Sequence, residues 1–142
     1  RMAYDNNNIF AKILRGEAPS FKVYEDERTF AFMDVMPQSE GHTLVIPKVQ
    51  AENIFDLPPD DAANLLQVTQ KIAVAVKRAI KAPGIMLAQL NGSEAGQTVF
   101  HIHMHVIPRW SGADLKLHAR ELADFEVLKA QAELIKAELE RL

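Results

Sequence analysis

The sequence predicts an α+β fold, an antiparallel sheet of about five strands with a long helix packed on it and an additional C-terminal helix. Three observations carry that reading. Hydrophobic periodicity changes along the chain in the order helix, three strands, helix, two strands, helix, an order that suits an antiparallel sheet carrying helices. No repeat, low-complexity tract or interdomain linker interrupts it. The 142 residues are 48% hydrophobic and 25% charged, the balance of a globular domain able to bury a substantial core. The chain therefore reads as one domain over 1–142, with a core over 2–110 and a helical extension over 111–142; Arg1, ahead of Met2, is left out of the functional reading.

Each element has a local cause. Ile9 to Leu14 reads as a short helix ended by Gly16 and Pro19. Phe21 to Glu25 and Thr29 to Val35 are strand-like runs around the polar stretch Glu25-Asp26-Glu27-Arg28, a hairpin pattern. Thr43 to Pro47, rich in β-branched residues, is a third strand. A long helix is expected from Pro59 to Lys81. Pro59 suits its first turn, Asp60 and Asp61 complement the helix dipole, and Leu65, Thr69, Ile72, Val76 and Ile80 form its apolar stripe. Pro83-Gly84 closes it. Ile85 to Leu90 is a fourth strand, Asn91 to Gly96 a turn, and Val99 to Ile107 a fifth strand ended by Pro108. From Asp114 to Leu142 the chain is expected to be helical, with Leu122, Phe125, Ala132, Ile135, Leu139 and Leu142 on one stripe that needs a surface to cover it.

Composition narrows the function classes. A net charge of -3 argues against nonspecific nucleic-acid binding, which needs a basic surface. No apolar run approaches the ~20 residues that span a bilayer, and the polar, Asn-rich start gives no expectation of a signal peptide. The chain has no Cys, so disulfides and thiol catalysis are excluded; this fits a cytoplasmic protein.

The most informative segment is HIHMHVIP, residues 101–108. His101, His103 and His105 alternate with Ile102, Met104 and Val106. On a strand, alternate residues share a face and sit roughly 6.6 Å apart at about 3.3 Å per residue. Three imidazoles then share one volume while the apolar residues face a core. Two chemistries fit. Histidines two apart on a strand can reach one zinc ion. Alternatively, imidazole, with an ordinary pKa of about 6.5, supplies nucleophilic and acid–base chemistry. Crowded cationic rings repel, so at least one stays neutral at pH 7. The approach Gly96-Gln97-Thr98 favours phosphate over metal, because backbone N–H groups, an amide and a hydroxyl are anion donors and weak metal ligands. His118, in a charged helical context, reads as structural.

GQTVFHIHMHVIPR, residues 96–109, resembles the histidine triad family of nucleotide hydrolases and transferases, whose pattern is H-x-H-x-H, usually preceded by G-Q-[ST]-V. A second block, FMDVMPQSEGHTLVIPK at residues 32–48, is similar to the family's F-x-D-x-x-P-x-x-x-G-H-x-L-V-I-P-K segment. The opening IFAKILRGEAPSFKVYED resembles the N-terminal segment of many bacterial members. The resemblance covers about Ile9 to Trp110. The SEAGQTV approach and the Val-Ile-Pro-Arg ending resemble the fragile-histidine-triad branch, the N-terminal segment the Hint branch.

The resemblance implies a site. His103 would be the nucleophile toward the α-phosphorus of a purine nucleotide. His105 would bind phosphate oxygens and assist the leaving group, with His101 and His42 holding the array. Gln97 and Thr98 would contact phosphate or the bridging atom, Asp34 the ribose hydroxyls, and Asn91 the ribose–phosphate cleft. Phe10, Phe32 and Val35 would wall the base. Each has a plainer reading: Asp34 as a strand-end cap, Phe32 as core, Asn91 as a turn residue, His42 as a polar strand start. The implied substrate is a nucleoside phosphoramidate or a dinucleoside polyphosphate, the former favoured, and the implied assembly a homodimer. The competing classes are a non-catalytic nucleotide- or partner-binding protein and a metal-binding protein. Many bacterial members carry C-x-x-C in the first helix and bind a structural zinc through it. Asn8-Ile9-Phe10-Ala11 stands there instead, so no metal or other cofactor is expected.

Overall fold

The computed structural model describes residues 3–114 and 121–142. Helix α1 is Ile9–Leu14, and strands β1, β2 and β3 are Lys22–Glu25, Thr29–Met33 and Thr43–Pro47. Helix α2 is Pro59–Ile80, β4 is Gly84–Ala88, β5 is Met104–Arg109, and α3 is Phe125–Glu140. The strands form one antiparallel sheet in the order β1-β2-β3-β5-β4. The α+β class and the five-stranded sheet are those the sequence predicts.

The central strands are buried on both faces, because their apolar residues do not alternate with polar ones. Ala31, Met33, Val45 and Val106 pack against Leu65, Val68, Ile72 and Val76 of α2. On the opposite face Phe30, Phe32, Leu44 and Ile46 pack against Phe10 of α1. Directly paired residues share a face of an antiparallel sheet. Phe32 pairs with Leu44, Leu44 with His105 and His105 with Ala88, so His105 projects on the α1 face. Asn8 starts α1 by accepting from the Ala11 N–H at 2.9 Å, an N-cap contact worth about 1 kcal/mol.

Two expectations shift. The C-terminal helix begins at Phe125, capped by Asp124, rather than at Asp114; residues 115–120, with His118, lie outside the described residues. Its buried face is Leu128, Ala132 and Ile135, with Leu139 packed beside them. That stripe covers α2 and β1 of the same chain, and burying Leu128 and Ile135 contributes roughly 1.5–3 kcal/mol each. Leu122, placed on the stripe by sequence, lies before the helix and is 65% exposed; Phe125 and Leu142 at its ends are also exposed. The second shift concerns β5, which starts at Met104 rather than Val99 and runs through Pro108 to Arg109. Pro108 is accommodated because pairing with β3 has already ended at Val106; there its carbonyl accepts from Ser39 Oγ at 2.6 Å.

Candidate functional site

Because β5 begins at Met104, only His105 of the triad lies on a strand. Pairing of β5 with β3 stops at Met104, opposite Val45, two residues before β3 ends at Pro47, and pairing with β4 stops at His105. Residues 99–103 are therefore held by separate pins. The Ile102 N–H donates to the Ala51 carbonyl at 2.9 Å, and His101 Nε2 donates to the Pro47 carbonyl at 2.7 Å. The alternation survives: Ile102 and Val106 are fully buried in the core opposite the imidazoles. The rings lie closer than regular strand spacing would put them, with His103 and His105 centroids 4.9 Å apart. His101 is 0% and His103 7% exposed.

Hydrogen-bond partners fix each ring's tautomer, since carbonyls only accept and backbone N–H groups only donate. His101 carries its proton on Nε2, facing Pro47, and its Nδ1 accepts from the Tyr4 hydroxyl. His103 carries its proton on Nδ1, donating to the His101 carbonyl at 2.8 Å. Its Nε2 is left with the lone pair. The Gln38 N–H donates to His42 Nδ1 at 2.9 Å, so the His42 proton is on Nε2 and reaches His105 Nδ1 at 2.9 Å. His105 therefore carries its own proton on Nε2. An acceptor nitrogen on His103 and a donor nitrogen on His105 lie on neighbouring rings.

Burial keeps all four rings neutral. It lowers His42 to about 3, helped by the repulsion that a protonated His42 would meet from protonated His105 and His103, and lowers His101 and His105 to about 4; His103 is lowered by burial as well. Asp34 moves the other way, raised by burial to about 6 against the lowering effect of the Met36 N–H. These shifts set the acid stability. Unfolded histidines bind protons below about pH 6.5 while the folded rings stay neutral, so their stabilising effect is complete above 6.5 and is lost as pH falls. Folded Asp34 holds a proton that the unfolded chain releases between about pH 4 and 6, an opposing contribution. Near pH 5, His42, His101 and His105 minus Asp34 give a net uptake of about two protons on unfolding, and His103 adds in the same direction. At about 1.36 kcal/mol per proton and pH unit, stability drops by about 3 kcal/mol per pH unit there. Urea unfolding at pH 7 and pH 5 measures it; equal or greater stability at pH 5 sinks this account.

Phe10 meets His103 edge-on at 4.9 Å and Phe32 at 5.3 Å, so Phe10 lies against the histidine cluster and Phe32 packs on Phe10. Their rings are buried, and Phe32 belongs to the core on that face. Asp34 Oδ2 lies 3.5 Å from His42 Nε2. Val35 is 36% exposed, and its carbonyl accepts from the Ala123 N–H at 3.0 Å, tying the lead-in of α3 to the site's edge. Gln97 differs from the expectation of a phosphate donor. It is 3% exposed; its Nε2 donates to the carbonyls of Glu52 and Val99, and its Oε1 accepts from the Gly92 N–H. Its amide is committed to the loops. Asn91 also pins loops, accepting from the Ile54 N–H at 2.8 Å and pairing with Gln89. Thr98 is exposed beside Gln97.

Three residues that the sequence reading left out hold this array. Tyr4 reaches His101, and Asn8 Nδ2 donates to the Tyr4 hydroxyl at 2.9 Å; Gln38 orients His42 through its backbone. Asn8 was detectable as a cap before an apolar run. Tyr4 and Gln38 have no spacing signal. Among the described residues, Asp34, His42 and His105 bring ligand atoms within 4.8 Å of one another, a set that could hold a metal ion. An ion there needs bonds of about 2.0–2.2 Å from both imidazoles, and so would replace the hydrogen bond between His42 and His105.

A family model described as HIT domain matches residues 15–112. The chain belongs to the HIT family. The protein hit of Bacillus subtilis is 44% identical over 118 residues, covering 80% of this chain and 81% of that protein. An adenylylsulfatase of Arabidopsis thaliana, HINT3, is 36% identical over 123 residues, covering 82% of this chain and 62% of that one. A Hit-like protein of Bartonella henselae, described as involved in cell-cycle regulation, superposes with a TM-score of 0.89 at 47% identity, covering 96% of this chain and 99% of that chain. A zinc-bound histidine triad protein of Mycobacterium smegmatis gives 0.84 at 38% identity, covering 95% and 94%. A histidine triad nucleotide-binding protein of Sulfolobus tokodaii gives 0.87 at 36%, covering 94% and 92%. These HIT structures match over nearly the whole chain, α3 included.

Proposed function

We propose that this HIT protein cleaves at the α-phosphorus of a purine nucleotide, a nucleoside phosphoramidate or a dinucleoside polyphosphate, through a covalent nucleotidyl-histidine. The observation that carries the proposal is the tautomer of His103, whose Nε2 lone pair is held unprotonated beside the Nε2–H of His105. In the first step His103 Nε2 attacks phosphorus, an N–P bond forms, and the bond to the leaving group breaks. The anionic phosphate raises the proton affinity of His105, so that ring takes up a second proton as the nucleotide binds and then gives its Nε2 proton to the leaving group, returning to neutral. In the second step water attacks phosphorus, the N–P bond breaks, and the water's proton returns to His105. His101 and His42 hold the two reacting rings. Asp34 accepts from the ribose hydroxyls, and Phe10, Phe32 and Val35 border the base. Thr98 and the backbone N–H groups of its loop meet phosphate, Gln97 and Asn91 shaping that loop from behind. Relatives named as an adenylylsulfatase and a nucleotide-binding protein support a nucleotidyl substrate.

Side-by-side kinetics on a fluorogenic adenosine phosphoramidate and a diadenosine polyphosphate test the reading. Turnover of at least one is expected to persist under exhaustive chelation, since imidazoles perform both steps. Tight nucleotide binding with neither substrate cleaved would favour a non-catalytic binder. Turnover lost to chelator and restored by zinc would move the chemistry to a metal on Asp34, His42 and His105.

We further propose a homodimer joined along β4. Among the described residues that strand pairs only with β5, leaving one edge to take a second strand. An apolar groove of about 670 Å³ beside it is lined by Leu66, Val74, Ile85 and Leu87, and Leu66, Val74 and Leu87 are exposed. A two-fold axis at this edge would cover both grooves at once. Light scattering at low micromolar concentration should give close to twice the 15.9 kDa chain mass; a monomer mass with full activity contradicts the dimer.

A further inference from the structure

We infer that Tyr4 is a positioning residue for the nucleophile, setting the tautomer of His101 and through it the ring orientation of His103. The inference rests on the proposed reaction for its kinetic consequence but not for its structural one. Residues 99–103 have no strand ladder, so the His101 carbonyl that orients His103 is fixed by the pins on residues 101 and 102. Two of those pins are made by the His101 ring. Its Nε2 donates to the Pro47 carbonyl, and its Nδ1 accepts from the Tyr4 hydroxyl at 2.5 Å. The direction is forced along the whole chain. Asn8 Nδ2 donates to the Tyr4 oxygen, the Tyr4 proton goes to His101, and the remaining His101 proton goes to Pro47. The Tyr4 ring also meets the His101 ring edge-on at 5.7 Å. Without the hydroxyl, His101 Nδ1 is a buried acceptor with no donor, and the ring is free to flip or change tautomer. Either change breaks the Pro47 contact and releases the carbonyl that holds His103 Nδ1–H. His103 can then rotate or protonate its attacking nitrogen.

Tyr4→Phe isolates the effect, because it keeps the ring packing and removes only the hydroxyl. Asn8→Asp is the second variant. It keeps the α1 cap acceptor but replaces the amide donor with a carboxylate oxygen, which competes with His101 for the Tyr4 proton. Two readouts are needed. Long-range ¹H–¹⁵N NMR of the histidine rings should show His101 and His103 nitrogen shifts moving in both variants. Kinetics on the adenosine phosphoramidate should show kcat lower by about tenfold to a hundredfold with KM within about twofold, the pattern of a misplaced reacting group. Histidine nitrogen shifts identical to wild type in Tyr4→Phe overturn the inference, as does wild-type kcat. An activity loss that follows a fall in Tm, with tautomers unchanged, also overturns it, since that is a merely structural role. If the wild-type protein cleaves neither nucleotide substrate, the proposed reaction fails, and the NMR comparison alone decides whether Tyr4 positions His103.

Discussion

Replacing His103 with Ala lowers kcat by more than a hundredfold while leaving nucleotide affinity largely intact. The covalent step needs the Nε2 lone pair, whereas ground-state contacts are assigned to Asp34, Thr98 and the phosphate-facing backbone. The deletion also leaves a cavity and takes the partner from the His101 carbonyl, so the variant's Tm is measured beside its kinetics to separate loss of the nucleophile from unfolding. Steady-state kinetics and nucleotide titration of the purified variant check both halves. A variant retaining more than about a hundredth of wild-type kcat shows that His103 is not the nucleophile.

Gly41→Ala has the largest expected effect on stability. Gly41 sits directly before His42 at φ +83°, a conformation that side chains rarely adopt. A Cβ there would lie 2.5 Å from Ile80 Cγ1 at the end of α2, and 3.4 Å from Pro108. The left-handed backbone costs roughly 1–2 kcal/mol and the overpacking roughly 1–3 kcal/mol. Together they amount to about 3 kcal/mol, a large part of a typical domain's stability. Gly16→Ala is the control, since its φ of +76° imposes the same backbone cost but its Cβ meets nothing within 4 Å. Urea unfolding should show Gly41→Ala losing at least about 1 kcal/mol more than Gly16→Ala. Equal losses would mean that Ile80 simply moves aside.

How much of this was legible depended on how local the cause was. α1, β3 and α2 follow from caps, β-branched runs and a stripe with a period of three to four, and they appear where those signals put them. The start of β5 was not legible. Whether Val99 to His103 join a sheet depends on where pairing with β3 and β4 stops, which alternation alone cannot report. The start of α3 was misplaced for a similar reason. Residues from Asp114 onward suit a helix, yet Asp124 caps it and Ala123 is tied instead to Val35 across the site. Among the site residues, the four histidines and Asp34 come together because strand pairing sets β3 against β5 and places the end of β2 beside them. Gln97 was read by residue type as an anion donor. Only the folded loops reveal that its amide hydrogens are already engaged by Glu52 and Val99. Tyr4 lies 97 residues from its partner, beyond any spacing rule.

The most direct test of the covalent reading is the stereochemical course at phosphorus. A substrate chiral at its α-phosphorus through sulfur substitution would be hydrolysed in isotopically labelled water, and the configuration of the product determined by ³¹P NMR. Two successive in-line displacements, first by His103 and then by water, each invert the centre, so the account predicts net retention. Net inversion would mean that water attacks the nucleotide directly, with His103 as at most a base, and would contradict the account.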